Sequence, residues 1–355
     1  MDRQLAIERT QKLFYKAEWA LRSMAKPTDS RQFERVYHCP IAPGADLYDT
    51  VYRYNGTAYI EPKFGYIVTE HGTLIEDSMT TNLGIIAEPW KQGLPSPSEF
   101  RDATKKGSHR VIHHPKIISL RHLWEWNYYH FYVDILSRLR ALDDAGIDKS
   151  IPLALGNYAD DVAFVKQIIG IGSLASRNWV LPGHDFVSAD EVYYCRTQQS
   201  WKARLSYPVS LMNLPRPNLS SRDRIFLVRP LAATRRILNQ PEIEPVISKY
   251  GFRTVDTSQM SVKDQIDLFA DARHLIAVHG AGMVNVIYRQ GAPLSVLELR
   301  PDVYNVECMQ DINKDYGYYT DILGGKSDSS EAQHANFTVD PATLEQKIVE
   351  MLDVS

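Results

Sequence analysis

Strand and helix patterns alternate from about residue 222 to 300 at the spacing of βαβ units, which predicts an α/β protein with a parallel sheet. IFLVRP (225–230), FRTVD (252–256), LIAV (275–278) and LSVLEL (294–299) are the apolar strand runs. Helical patterns over 238–250 and 262–272 and a short one over 283–288 separate them. A chain of 355 residues exceeds one ordinary domain, and an earlier stretch repeats the alternation. There IPLALG (151–156), a helix near 160–170, NWVLPG and DEVYYC follow a helix over 126–144. Two α/β units are therefore expected.

The stretch HLIAVHGAGMVNVIYRQGAPLSVLEL (274–299) is the most informative one. Its first strand ends at His279, and Gly280, Ala281 and Gly282 remove side-chain bulk before the helix that starts at Met283. Such a turn offers backbone N–H groups at a helix N-terminus, which attract phosphate or diphosphate. Close packing alone also explains a two-glycine turn. Glu298, near the end of the next strand, is placed to accept hydrogen bonds from ribose hydroxyls. Ligands in open parallel sheets sit beyond the carboxyl ends of the strands, which is where these residues fall. The turn lacks the third glycine of G-x-G-x-x-G, and the chain has no G-x-x-x-x-G-K-[ST] loop, which argues against NAD and P-loop chemistry.

Arg229, Arg235 and Arg236 follow the strand IFLV on the same rim, near Thr234, Asn239 and Glu242. Guanidinium groups bind phosphate through paired donors, so a pyrophosphate role is favoured. The competing reading pairs these arginines with Glu242 and Glu244. In WNYYHFYVDILSRLRAL (126–142), His130 and Asp134 stand four apart, one turn from each other on a helix. A carboxylate withdrawn from water beside an imidazole suits general-base work, because burial raises its proton affinity. Asp134 is the preferred base, with His130 as its orienting partner or a phosphate contact, and which of the two removes the proton stays open. Trp124, Trp126, Tyr128, Tyr129, Phe131 and Tyr132 form an aromatic cluster whose members either stack on a sugar ring or fill the core.

The ordered series TRRILNQPEI, YGFRTVD, SVKDQIDLFADARHLIAVHGAGMVNVIYRQGA and LSVLEL, preceded by WNYYHFYVDILSRL, resembles the family 61 glycosyltransferases over most of residues 118–340. HGAG followed by Asn285 is its most characteristic element, while Met283 in place of leucine and Thr234 in place of serine are mild departures. The resemblance implies a GT-B-like fold with two facing Rossmann-like domains and a cleft between them. It implies an inverting, metal-independent transfer from a nucleotide-diphosphate sugar, most plausibly a UDP-sugar, to a glycan, lipid-linked glycan or glycoprotein acceptor. Donor binding then falls to Arg229, Arg235, Arg236, His279, Gly280, Ala281, Gly282, Met283, Asn285 and Glu298, and catalysis to Asp134 and His130. No D-x-D motif stands ready for Mg²⁺ or Mn²⁺, and no cofactor is expected, the nucleotide sugar being a substrate. A non-catalytic sugar-nucleotide or glycan-binding protein on the same scaffold is the alternative. A nucleotide-sugar epimerase or dehydrogenase would need NAD and a Tyr-x-x-x-Lys pair, which is not found in a convincing helix.

Domain expectations are 1–213 for an acceptor-side α/β domain, 214–224 for a proline-rich linker, 225–340 for the nucleotide-sugar domain and 341–355 for a terminal helix capped by Asp340. That helix is expected, by analogy, to cross back over the cleft. GGKSDSSEAQHAN (324–336) is expected to be a mobile loop. A net charge of −3 gives no electrostatic reason for a nucleic-acid partner. Three separated cysteines, Cys39, Cys195 and Cys308, form neither a zinc pattern nor a disulfide framework and favour a reducing compartment. MDRQLAIERTQKLF has no signal-peptide core, so a cytoplasmic, bacterial-type member that builds a surface polysaccharide is expected. Residues 1–26 can be drawn as an amphipathic helix that either packs on its own domain or touches anionic lipid as a peripheral membrane contact.

Overall fold

The structure, a computed structural model, describes residues 33–40, 48–75, 110–157, 159, 161–196, 200–229 and 234–354, with Glu99, Asp102 and residues 104–107. The amphipathic segment 1–26 lies outside the described residues. Two sheets organise the rest. The first contains β1 (Phe33–Pro40), β2 (Tyr48–Ile60), β3 (Ile67–Thr69), β4 (Leu74–Ile75), β5 (Val111–Ser119), β6 (Leu153–Ala154), β7 (Trp179–Val180) and β8 (Phe186–Arg196). Its order is β4-β3-β2-β8-β5-β6-β7, with β1 on β2. Only β8-β5-β6-β7 is parallel; β1 to β4 and the β2–β8 pair run antiparallel. The expectation of a second Rossmann-like sheet is corrected here to a mixed one. Connections as short as residues 70–73 between β3 and β4 can join only antiparallel neighbours.

The second sheet contains β9 (Asp223–Leu227), β10 (Arg253–Val255), β11 (Ala272–Val278), β12 (Ser295–Pro301), β13 (Tyr319–Ser327) and β14 (Phe337–Thr338), in the order β10-β9-β11-β12-β13-β14. All its pairings are parallel except β13–β14. Counted from β9, the order is 2-1-3-4-5-6, so the chain reverses direction across the sheet between β9 and β11. That reversal leaves a crevice at the carboxyl ends of the two strands.

Helices cover both faces of the second sheet. The described helices are α1 (Tyr128–His130), α2 (Arg138–Asp144), α3 (Ala163–Ile169), α4 (Trp201–Leu211), α5 (Gln240–Lys249), α6 (Val262–Asp271), α7 (Cys308–Tyr316) and α8 (Pro341–Asp353). Strand alternation divides the core: Leu275 and Ala277 of β11 face one apolar cluster, Ile276 and Val278 the other. The helices follow the same partition at i, i+4, i+7 spacing. Val262, Ile266 and Phe269 of α6 enter the first cluster, and Leu344, Ile348 and Met351 of α8 enter the second. Ser261 caps α6 by accepting from Asp264 N at 3.1 Å, and Asp340 caps α8 by accepting from Thr343 N at 2.8 Å.

Three expectations need correction. First, α8 does not cross back; its apolar stripe is committed to Phe226, Ile276 and Leu297 of its own sheet. Second, residues 324–327 belong to β13, because Gly325 packs where a side chain would strike Phe337 and the Thr338 carbonyl. The remainder closes into a turn through Asp328 N to Asn336 O at 2.9 Å and Asn336 N to Asp328 Oδ1 at 2.8 Å. Third, the helix over 126–144 is not uniform. A π-helical segment, Phe131–Leu136, joins α1 to α2, with Ser137 N donating to Tyr132 O at 3.1 Å. Single π turns inside helices re-aim side chains and recur at functional sites.

The first apolar cluster joins the two sheets through one continuous layer of helices, running from Phe131 and Leu139 to Val284, Tyr288 and Met309. Hydroxyls and amides stitch its middle. Tyr128 Oη donates to Asn285 Oδ1 at 2.7 Å, Asn285 Nδ2 donates to Gln265 Oε1 at 2.8 Å, and the Tyr132 and Tyr288 hydroxyls bond to each other. Asn285 is fully buried, so truncating it strands partners in a dry seam. Asn285→Ala is expected to lower stability by about 2–4 kcal/mol in urea unfolding, from the lost bonds and the cavity. Leu238→Ala, at a residue 49% exposed, should shift it by less than about 0.5 kcal/mol.

Candidate functional site

Arg229 stands two residues beyond β9 and Gly280 two beyond β11, on either side of the crevice where the strand order reverses. Arg229 Nη1 donates to the His279 carbonyl at 3.0 Å. The guanidinium lies so close to Gly280 that any Cβ there would collide with Nη1. Gly280 has φ 177°, extended backbone open to any residue, so a side chain there would act by pushing the Arg229 guanidinium aside. Beyond it, Ala281–Arg289 form a 3-10 helix in which Met283 N donates to Gly280 O at 3.0 Å. The amides before Met283 are thus the turn's candidate anion donors.

Arg235 completes the cluster from the other side. Its guanidinium carbon lies 4.9 Å from the centroid of Tyr304, and the Tyr304 ring lies 4.5 Å from that of His279. Arg235 adopts φ 60°, a left-handed conformation that a non-glycine residue holds only under constraint. The constraint is visible on its neighbour: Arg236 N donates to Asn336 Oδ1 at 3.1 Å, and Phe337 N donates to the Arg236 carbonyl at 2.9 Å. Burial, with Arg235 nearby, pushes the Arg229 guanidinium down to about 10, so it stays charged at neutral pH. The Nε atoms of Arg229, Arg235 and Arg236 are all buried without a hydrogen-bond partner.

Glu242 and Glu244 do not neutralise these arginines. Glu242 accepts from Asn239 Nδ2 at 3.0 Å and Glu244 from Thr254 Oγ1 at 2.7 Å. Among the described residues no carboxylate pairs with Arg229, Arg235 or Arg236. The three arginines are half-buried with no counter-charge, an arrangement that an anionic ligand would stabilise.

Several expected donor residues serve this cluster from behind. Glu298 is fully buried; Oε1 bonds His279 Nδ1 at 2.8 Å and Oε2 accepts from Gln310 Nε2 at 2.8 Å. Arg300 Nη1 lies 3.7 Å from the same Oε1. Glu298 therefore orients the His279 ring, and a ribose contact would have to break one of these bonds. Met283 is 1% exposed within the core, and Asn285 belongs to the seam between the sheets. No contact among the described residues ties the Arg236 guanidinium to His279 or Arg229. Tyr304, Gln310 and Arg300 were not legible as site residues, since their loop and helix carry no motif and only folding brings them to His279.

The second part of the site lies on the π turn. His130 Nδ1 and Asp134 Oδ2 are 2.6 Å apart, with side chains 29% and 15% exposed. Asn127 Oδ1 fixes the start of α1 by accepting from Tyr129 N at 3.0 Å. Burial raises the Asp134 carboxyl, yet the His130 hydrogen bond, with the Arg138 guanidinium nearby, outweighs it and leaves it below the usual carboxylate range. The expected gain in proton affinity is therefore reversed. Asp134 is an ionised partner that orients His130, whose other ring nitrogen, Nε2, is left for a ligand.

The two parts approach through Tyr129, which precedes His130 and whose hydroxyl and the Cys308 thiol, four residues beyond Tyr304, lie close enough to influence each other. Among the described residues no group of three His, Cys, Asp or Glu side chains could hold a metal ion, and no helix is long and apolar enough to cross a membrane. Cys195 is buried and Cys308 half-buried, both as free thiols.

An α/β protein with an uncompensated cationic crevice at its strand reversal has the architecture of a nucleotide or phosphate binder. Comparison adds one finding: residues 128–294, just under half of the chain, match the family described as Glycosyltransferase 61. The matched span holds His130, Asp134, the arginines and the glycine turn. No curated protein matches the chain.

Two outcomes follow from this geometry. Gly280→Ala should displace Arg229 and weaken binding of inorganic pyrophosphate about tenfold or more in calorimetric titration, a loss of about 1.4 kcal/mol or more. Unchanged affinity would separate Arg229 from the anion. Burial also pushes His122 down to about 3 and His274 to about 4. Both rings bind protons more readily when unfolded, so stability is full above about pH 6.5 and is lost as pH falls towards those values. Urea unfolding between pH 7 and 4 should show that decline, and His274→Gln should make it shallower.

Proposed function

We propose that this chain is an inverting, metal-independent glycosyltransferase that takes its sugar from a nucleotide-diphosphate donor, a UDP-sugar. Arg229 and Arg235 carry the reading: two guanidinium groups with no carboxylate partner flank the glycine turn at the strand reversal. As the sugar leaves, negative charge builds on the diphosphate, and these groups with the amides of Gly280, Ala281 and Gly282 are set to stabilise it. Arg236 adds long-range positive charge. Two fixed guanidiniums supply what a divalent ion supplies elsewhere, which supports the metal-independent reading. Inversion rests on the family likeness.

The acceptor hydroxyl loses its proton to the His130–Asp134 pair. The 2.6 Å bond to Asp134 holds His130 Nδ1 and leaves Nε2 to take that proton, while the ionised carboxylate stabilises the resulting imidazolium. The assignment extends to a glycan or glycoconjugate acceptor, surface-polysaccharide synthesis, and a cytoplasmic site with peripheral contact at the inner face of the membrane. The two sheets would then act as donor and acceptor halves of a GT-B-like arrangement, divided near residues 214–224.

Transfer from UDP-sugars, scored together with UDP binding, tests this. Wild type should bind UDP and transfer in EDTA; loss of transfer in EDTA with recovery in Mn²⁺ would overturn the metal-independent assignment. His130→Gln should lower kcat about 10²–10⁴-fold with UDP affinity intact. Asp134→Asn should lower it less, since the imidazole remains. The reverse ranking would make Asp134 the base, and UDP binding without turnover on any acceptor would favour a binding protein.

A further inference from the structure

Trp126 is 45% exposed, an unusual position for the largest apolar side chain, and its ring neighbours Trp124, which in turn stacks on His130. The segment that presents it is firmly anchored. Trp124 N donates to His122 Nδ1 at 3.1 Å, and Asn127 N donates to the Trp124 carbonyl at 2.9 Å. Between the two tryptophans, Glu125 is fully buried, its Oε2 accepting from Gly156 N at 2.5 Å and its Oε1 from Ala159 N at 3.2 Å. Gly156 fits only because it lacks a Cβ, which would strike that carboxylate. A buried carboxylate and a buried imidazole are thus spent on holding an exposed tryptophan in one place.

The rings form a path from surface to reacting group. Trp126 and Trp124 centroids are 5.8 Å apart, Trp124 and His130 are 5.8 Å apart and nearly parallel at 25°, and His130 leads to Asp134. An exposed indole offers an electron-rich face to weakly positive C–H groups, and the apolar face of a pyranose ring presents such groups. The backbone on both sides is anchored, so stacking a ligand orders only the indole itself.

We propose that Trp126, backed by Trp124, is the stacking platform for the acceptor, and that the acceptor group it receives is a pyranose ring held so that one hydroxyl reaches His130. This rests on the glycosyltransferase reading above and adds to it that the acceptor is carbohydrate at the point of attack. A peptide hydroxyl or a bare lipid phosphate offers no such ring.

The test uses the full chain saturated with UDP, titrated with a panel of methyl glycosides of hexoses and N-acetylhexosamines in both anomers, with tryptophan fluorescence as readout and acceptor KM where transfer occurs. At least one glycoside should perturb the fluorescence of wild type. Trp126→Phe should keep most of its affinity, while Trp126→Ala should weaken it roughly three- to tenfold, with kcat and UDP affinity little changed. A glycoside whose KM is the same for Trp126→Ala and wild type would overturn the platform. So would a wild type that binds UDP and transfers only to a hydroxyl peptide or lipid phosphate, or binds no glycoside of the panel. Failure of wild type to bind UDP would instead strike the donor reading. Thermal unfolding of both variants separates lost stacking from lost folding.

Discussion

A guanidinium that passes over Gly280 to bond a backbone carbonyl sets the geometry of this molecule's cationic crevice. Arg229 reaches from the end of β9 to the His279 carbonyl at the end of β11, and in doing so ties together the two strands between which the sheet reverses. Parallel strands deliver their carboxyl ends to one edge, so loops distant in sequence converge there. Arg235 and Tyr304 close the crevice from the loops after β9 and β12. Each depends on the next: Glu298 orients His279, His279 lies beneath Tyr304, and Tyr304 receives the Arg235 face. The cluster is therefore set by folding and does not wait for a ligand.

The same logic governs the His130–Asp134 pair. The π turn over 131–136 changes the angle between Tyr128 and His130, in the turn before it, and the residues it contains, Tyr132 and Asp134 among them. Tyr128 and Tyr132 then meet Asn285 and Tyr288 in the seam, while His130 and Asp134 reach the accessible edge. The family-like pattern around 126–142 thus encodes two duties on one short helix. Some aromatics lock the sheets together, and the polar pair is presented beside Trp124 and Trp126.

Much of the second sheet was legible in the sequence, because buried parallel strands and i, i+4, i+7 helices leave strong periodic marks. Leu275–Val278 and Val262–Phe269 are such cases, and β9 to β12 lie where the apolar runs stand. The first sheet was less legible, since short turns and long antiparallel strands such as β2 and β8 show no βαβ rhythm. In the candidate site, Arg229, Arg235 and His279 were marked by residue type and position next to strand ends, and the fold brings them to one edge. The inward commitment of Asn285, Met283 and Glu298 was not, because a motif marks a residue without telling which way its side chain faces. Asp134 was misjudged electrostatically: burial was weighed, but the His130 hydrogen bond, with Arg138 one turn further on, outweighs it and lowers the carboxyl.

A crystal structure of the full chain with UDP bound tests the central claim most directly. The diphosphate should lie between the ends of β9 and β11, with phosphate oxygens within hydrogen-bond distance of the Arg229 or Arg235 guanidinium and of an amide in Gly280–Gly282. Diphosphate bound elsewhere, with the crevice unchanged and both arginines making no contact to it, would contradict the account.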